Sequence, residues 1–251
     1  MKLVKVFRSN SKPKLFQPEV GGKLIWKVGD NLITDFSVLT IANYMNSVWR
    51  GSKLPISVET YRVFPCGTLQ GFIEYVPNVE SVKTFKFETL QCDDKFISSL
   101  VGSCLLGWVL GIRDRHEDNQ LIITLSPLAH RFLSIDFSFL FNVGPLIDAP
   151  RFSIHNGIIE KLNETNQTEK FLALAVSGFE SLFDKKNQLY ALGNTFFPNN
   201  FIRYFNSAES YFEFDKDTAK KAIRKKLEEK LAKKSVKHKL KDVAHFIKTS
   251  F

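Results

Sequence analysis

Asp114-Arg-His-Glu-Asp-Asn119 sets an acid, a histidine and an amide within six residues, and Ile135-Asp-Phe-Ser138 adds a second acid on an apolar stretch. Residue types in that order suit metal-assisted phosphoryl transfer. Amide and carboxylate oxygens are hard donors for Mg²⁺, which keeps several waters and binds substrate phosphates beside one or two protein groups. The remaining task is to orient a hydroxyl nucleophile and accept its proton. Asp114 and His116 both suit that task, and the motif alone does not choose between them. A polar turn after a buried helix would use the same residue types. The second acid, on its own apolar strand, argues against that plainer reading.

Several elements must position these groups. The apolar run Phe96 to Ile112 is helix-like and leads into the first motif. Leu121 to Leu125 and Phe132 to Ile135 form a hairpin joined through Ser126-Pro127, which brings Asn119 and Asp136 close together. Asp114 to Asn119 spans five positions, the separation of the catalytic Asp and the metal-binding Asn in the protein-kinase catalytic loop. There is no Gly-x-Gly-x-x-Gly, so the protein-kinase phosphate loop is absent.

At these residues the chain resembles the phosphatidylinositol 3-/4-kinase superfamily, whose catalytic loop reads Asp-Arg-His-x-x-Asn and whose metal motif reads His-Ile-Asp-Phe-Gly. Ser134 and Ser138 stand where that pattern has His and Gly. The Gly-to-Ser change is expected to remove backbone freedom after the metal ligand, and the His-to-Ser change to remove a polar neighbour. The resemblance implies ATP and Mg²⁺ (Mn²⁺ as an alternative) as cofactors, with Asn119 and Asp136 as metal ligands and Asp114, Arg115 and His116 as the catalytic set. Trp26-Lys-Val-Gly-Asp-Asn-Leu-Ile-Thr-Asp35 is similar to the family's lysine segment, which implies Lys27 on the ATP phosphates and Asp35 at the back of the pocket. By the same resemblance Tyr61 is the pocket tyrosine, and Glu74 and Val76 offer hinge backbone groups to adenine. Arg8-Ser-Asn-Ser-Lys-Pro13, with Ser11 at its centre, resembles the family's serine/lysine phosphate loop.

The implied fold is α+β and two-lobed, protein-kinase-like. Residues 1–76 form a small strand-rich N-lobe, with a helix from about Phe36 to Trp49 opening after Asp35. Residues 77–251 form a larger, mostly helical C-lobe. With no adaptor-binding, C2 or helical-repeat segment ahead of the lysine strand, the chain reads as a minimal catalytic domain.

Composition agrees with a globular enzyme: 44% hydrophobic residues and 24 Phe supply a sizeable core. No apolar run reaches membrane-span length, and the start lacks a secretory apolar region. Three cysteines without metal or redox spacing read as reduced structural thiols. From Lys216 to Phe251 there are 13 Lys or Arg against 4 Asp or Glu, which is the whole net charge of +9. Within this tail Ile223, Leu227, Leu231, Val236, Leu240, Val243 and Ile247 follow a helical period, with a break expected near Lys234-Ser235.

Three uses of the tail compete: packing on the large lobe, lying on an anionic membrane, and binding nucleic acid. No nucleic-acid module is visible, so nucleic acid is not expected as a partner. An anionic leaflet would favour such a helix by about 1 kcal/mol per basic residue. Phe137 to Pro150 contains no Lys or Arg, which favours a headgroup without extra phosphates.

The expectation is phosphorylation of an inositol hydroxyl of phosphatidylinositol, by a cytoplasmic protein peripherally bound to membranes, with a regulatory protein subunit as a further partner. Which hydroxyl is attacked stays open. The alternatives are a serine/threonine protein kinase of the related large-kinase branch and a catalytically weak membrane-binding pseudokinase.

Overall fold

The computed structural model describes residues 1–7, 12–144 and 153–249, with side chains as far as residue 232. Strands β1 (Lys2–Val6), β2 (Lys14–Gln17), β3 (Leu24–Val28), β4 (Val63–Pro65) and β5 (Gln70–Glu74) make one antiparallel sheet in the order β1-β2-β3-β5-β4. A second sheet holds β6 (Val79–Ser81), β7 (Gln120–Ser126) and β8 (Ala129–Ser134). The chain passes from one sheet to the other through Asn78, at φ +56°. Beyond β8 the chain is helical: α3 (Asn156–Glu164), α4 (Thr168–Phe183), α5 (Lys186–Phe196), α6 (Asn200–Phe205) and α7 (Lys216–Thr249). A strand-rich first part and a helical second part make the expected two-lobed, kinase-like α+β architecture.

Helix α1 (Leu32–Gly51) departs from its expected start at Phe36. Asn31 Oδ1 accepts the Ile33 N–H at 3.1 Å, so the helix opens four residues earlier and Asp35 lies in its first turn. Asparagine caps as well as the aspartate of the family pattern would, and an acid in the first turn suits the positive end of the helix dipole. The helix is not confined to the strand-rich part. It packs on β4, α4 and α5, and Trp49, fully buried, donates from Nε1 to the Gly178 carbonyl at 2.9 Å.

Helix α2 (Asp94–Val109) is the buried axis of the second part, with Asp93 Oδ1 capping the Phe96 N–H at 2.7 Å. It is apolar on nearly all sides because it is enclosed on all sides: Phe96, Ile97, Leu100, Val101, Leu105 and Trp108 are all inaccessible. Ser99 Oγ donates to the Phe96 carbonyl and accepts the Phe132 N–H at 2.8 Å, which fastens β8 to the helix. The helix stops three residues short of the apolar run, in a Schellman motif. Gly111, at φ +54°, donates to the Trp108 carbonyl, and Ile112 donates to that of Gly107 at 2.8 Å.

Helix α7 runs without the break expected near Lys234-Ser235. From residue 216 to 249 it has neither Gly nor Pro and is rich in Lys, Leu, Ala and Glu, so nothing local interrupts it. Ala219, Ile223, Leu227 and Leu231 are buried at four-residue steps along the side packed on α4. Lys216, Lys220 and Arg224 pair with Asp184, Glu180 and Glu169 at 3.0, 3.0 and 2.9 Å. The described half of the basic tail is therefore packed on the large lobe. The stripe continuing through Val236, Leu240, Val243 and Ile247 falls on side chains outside the described residues.

Candidate active site

The β7–β8 hairpin has the register Gln120↔Ser134, and Ile135 N–H donates to the Asn119 carbonyl at 3.1 Å. Asn119 and Asp136 therefore emerge side by side from the open end of the hairpin. The backbone turns left-handed at both acids of the motifs, with φ +58° at Asp114 and +60° at Asp136. That conformation costs an L-residue about 1–2 kcal/mol, least for Asp and Asn, and such strain gathers at functional sites.

Asp136 is held ionised. Burial pushes its pKa up, but hydrogen bonds from Ser138 and the charges of Lys27 and Arg115 outweigh it and hold the pKa below the ordinary value. Ser138 donates from Oγ at 2.6 Å and from its backbone N–H at 3.4 Å to the same oxygen, Oδ1. The expected cost of losing glycine is not incurred here. Positive φ falls at Asp136, Phe141 and Asn142, and Ser138 is not among these residues. The side chain that replaces glycine serves as a cap on the acid.

Arg115 is 8% exposed and among the described residues bonds to the carbonyls of Arg113, Ile135 and Asp136. Its guanidinium also lies 5.5 Å from the Phe137 ring centre. It ties the catalytic loop to the second motif. Asn119, also buried, donates from Nδ2 to the Asp114 carbonyl at 2.9 Å and thereby closes the loop on itself. His116 Nδ1 accepts the Asp118 N–H at 3.2 Å, and its Nε2 lies 3.9 Å from Asp114 Oδ2. Asp118 itself points to Lys83, at 3.5 Å, on the surface.

Across from the hairpin, Lys27 on β3 reaches Asp30 at 2.8 Å and Asp136 at 4.0 Å. Burial lowers the lysine pKa, and the Asp30 bond with the charges of Asp136, Asp30 and Asp35 more than reverses this. Asp35 is 7% exposed, and burial, reinforced by Asp136, raises its pKa to about 6. The Phe137 N–H, 3.4 Å from Asp35 Oδ1, opposes that rise only weakly.

Lys27, Asp35 and Asp136 line one end of a cavity of about 290 Å³, and Glu74, Tyr75 and Val76 line the other. Ile25 and Ile73 from the first sheet and Leu121, Leu133 and Ile135 from the second also line it. Tyr61 completes the lining, and burial drives its phenol pKa well up. Glu74 holds Arg62 at 3.2 Å with its side chain and donates its N–H to the Arg62 carbonyl. Val76 N–H makes no backbone bond among the described residues. Phe7 and Pro13, the ends of the β1–β2 loop, border the cavity, while Ser11 lies outside the described residues.

An apolar slot with a cation at one end and unused backbone at the other fits a purine nucleotide polyphosphate. Asp136, kept ionised, and Asn119, next to it at the hairpin's open end, are oxygen donors that fit Mg²⁺, which needs few protein ligands when phosphates supply the rest. Three groups in this neighbourhood carry no obvious signal in the residue order: Asp30 as the partner of Lys27, Ser138 as a cap, and Arg203. Arg203 comes from α6 to line a cleft of about 520 Å³ beyond Ser138, together with Thr34, Phe139 and Tyr204. A cation thus flanks a segment that supplies none of its own between Phe137 and Pro150.

Fold and site together define a two-lobed kinase-like protein. The "Phosphatidylinositol 3- and 4-kinase" family model matches residues 85–206, which reach from just before α2 to just after α6. That segment resembles the phosphatidylinositol 3- and 4-kinase family. The chain is 27% identical over 187 residues to the phosphatidylinositol 3-kinase VPS34 of Candida glabrata, covering 65% of this chain and 21% of that one. With VPS34 of Saccharomyces cerevisiae the identity is 28% over 197 residues, covering 66% and 22%. With the probable phosphatidylinositol 4-kinase STT4 homolog of Encephalitozoon cuniculi it is 27% over 217 residues, covering 76% and 15%. The chain thus spans about a quarter or less of the length of these relatives. No helix among the described residues is long and apolar enough to cross a membrane.

Proposed function

We propose that the chain is a lipid kinase that moves the γ-phosphoryl group of ATP to an inositol hydroxyl of phosphatidylinositol. The observation carrying this reading is Asp136, held ionised beside Asn119 and 4.0 Å from Lys27 at the polar end of an apolar cavity. ATP lies with its base toward Glu74 and Val76 and its phosphates toward Lys27. Asn119 and Asp136 would hold Mg²⁺, which would supply charge neutralisation on the transferred group. Lys27 moves from Asp30 to the phosphates when the nucleotide enters, exchanging one charge-assisted bond for another.

The loop geometry supports one division of the remaining work between Asp114 and His116. A neutral imidazole whose Nδ1 accepts a hydrogen bond carries its proton on Nε2. His116 therefore offers a donor toward the reacting oxygens, and Asp114 is left to orient the hydroxyl and take its proton. Arg115 acts through the backbone, as a positioning residue. The cleft beyond Ser138 takes the headgroup, and Arg203 supplies a cation for its phosphodiester. The protein works at the membrane surface, with the basic end of α7 toward anionic lipid.

Purified protein with γ-labelled ATP and Mg²⁺ is to be offered phosphatidylinositol vesicles or protein substrates. Label in the lipid is expected. Label only in protein would move the assignment to the large protein-kinase branch. Tight vesicle binding without turnover would make the chain a scaffold.

A further inference from the structure

Gln120 follows Asn119 directly, and its side chain is buried, 3% exposed. Its Nε2 donates to the Arg115 carbonyl at 2.6 Å and to Ser153 Oγ at 3.2 Å, and Ser153 Oγ donates to that same carbonyl at 2.8 Å. The carbonyl between Arg115 and His116 is therefore gripped from β7 and from the chain approaching α3. This fixes the amide's orientation, since a flipped Gln120 would face oxygen with oxygen. The other amide atom, Oε1, is then directed away from the loop. Oε1 is buried without a hydrogen-bond partner among the described residues, and so is Ser103 Oγ on α2.

Both residues line one cavity of about 30 Å³, with Ser134 also in its wall. An unsatisfied buried acceptor costs about 1–3 kcal/mol. The cavity's volume is more than the roughly 10–15 Å³ that a water-sized probe needs, and a buried water needs two to four polar partners. Gln120, Ser103 and Ser134 provide three. Ser134 stands where the family pattern has a histidine, and its smaller side chain leaves that room.

We infer that the cavity is a hydration site. One water bonded to Gln120 Oε1 and Ser103 Oγ locks the Gln120 amide against the catalytic loop and makes Gln120 a positioning residue for Asp114 and His116. The hydration site stands on the geometry alone, while the positioning role rests on the kinase reading.

A crystal structure resolving ordered solvent should place one water within hydrogen-bonding distance of both atoms. Ser103→Ala should then lower the melting temperature by about 2–4 °C, through loss of one bond to that water. A dry cavity, or a melting temperature that rises once the hydroxyl is removed, would overturn the hydration site. Gln120→Leu should lower kcat at least about tenfold with the KM for ATP unchanged, because Gln120 does not border the nucleotide cavity. Gln120→Glu keeps the volume but sets an oxygen against the Arg115 carbonyl, and should show the same split if the leucine variant fails to fold. Unchanged kcat in a folded variant would overturn the positioning role. If the unsubstituted protein phosphorylates no lipid, the proposed function fails, and the solvent density and melting temperatures still decide the hydration site.

Discussion

The first turn of α1 and the turn after β8 each set one carboxylate in the same cavity, and the two are driven in opposite directions. Asp35 is pushed up to about 6 while Asp136 is held below its ordinary value. Both are desolvated and both feel Lys27. The difference is in donors. Asp136 receives the Ser138 hydroxyl and N–H with Arg115 nearby, whereas Asp35 receives one long N–H bond from Phe137. Ionising the second of two acids that share a cation costs more than ionising the first, and the hydrogen-bond count decides which one ionises first as the pH rises. The first to ionise lies beside Asn119, where the proposed Mg²⁺ would sit.

Removing the favoured acid should have the largest effect. Asp136→Ala should reduce turnover by on the order of 10³-fold or more while vesicle binding is kept, as read by labelled-ATP assay and sedimentation. Turnover equal to that of the unsubstituted protein would show that the metal site was placed on the wrong residue.

Neutralising the disfavoured acid should do the reverse for stability. Below about pH 4 Asp35 is protonated in both the folded and the unfolded chain. Between about pH 4 and 6 the unfolded chain releases the proton and the folded one keeps it, so stability falls as pH rises and stays reduced above that. A folded pKa of about 6 against an ordinary value of 3.8 corresponds to about 3 kcal/mol at neutral pH. Asp35→Asn should recover most of that in urea unfolding at pH 7 and flatten this part of the pH dependence.

The donors of Asp136 can be tested one at a time. Ser138→Gly restores the family residue but removes the Oγ bond, about 1 kcal/mol at a partly exposed site. The acid limb of the pH–rate profile should therefore shift to higher pH. A profile that stays in place would mean that Ser138 does not set the charge of Asp136. The smallest effect is expected at the cap that starts α1 ahead of Asp35. Asn31→Ala should lower stability by about 0.5–1 kcal/mol in thermal unfolding.

The catalytic loop, the hairpin and the buried α2 were legible because each is a local pattern: a short motif, an alternating pair of strands, a long apolar run. Asp114, Asn119 and Asp136 therefore stand out as candidates by spacing. Hidden from that reading were pairings between segments far apart in the chain. Arg203 reaches a segment some 60 residues earlier, and Gln120 grips Ser153, 33 residues away. Helix α1 starts at Leu32 and not at Phe36 because Asn31 caps the Ile33 N–H. The break expected in α7 was a misreading of a pattern in which no residue stops a helix.

What the residue order determined by itself is the chemistry on offer: an acid, an amide and a second acid at a hairpin's open end, with a lysine strand far upstream. Those choices are carried by side-chain type and by the two-residue period of paired strands, which need no distant partner. Only the tertiary structure decided which acid ionises first and whether serine for glycine is a loss. Those answers depend on desolvation and on donors brought in from other elements, and a pKa or a hydrogen bond exists only between groups that folding has placed together.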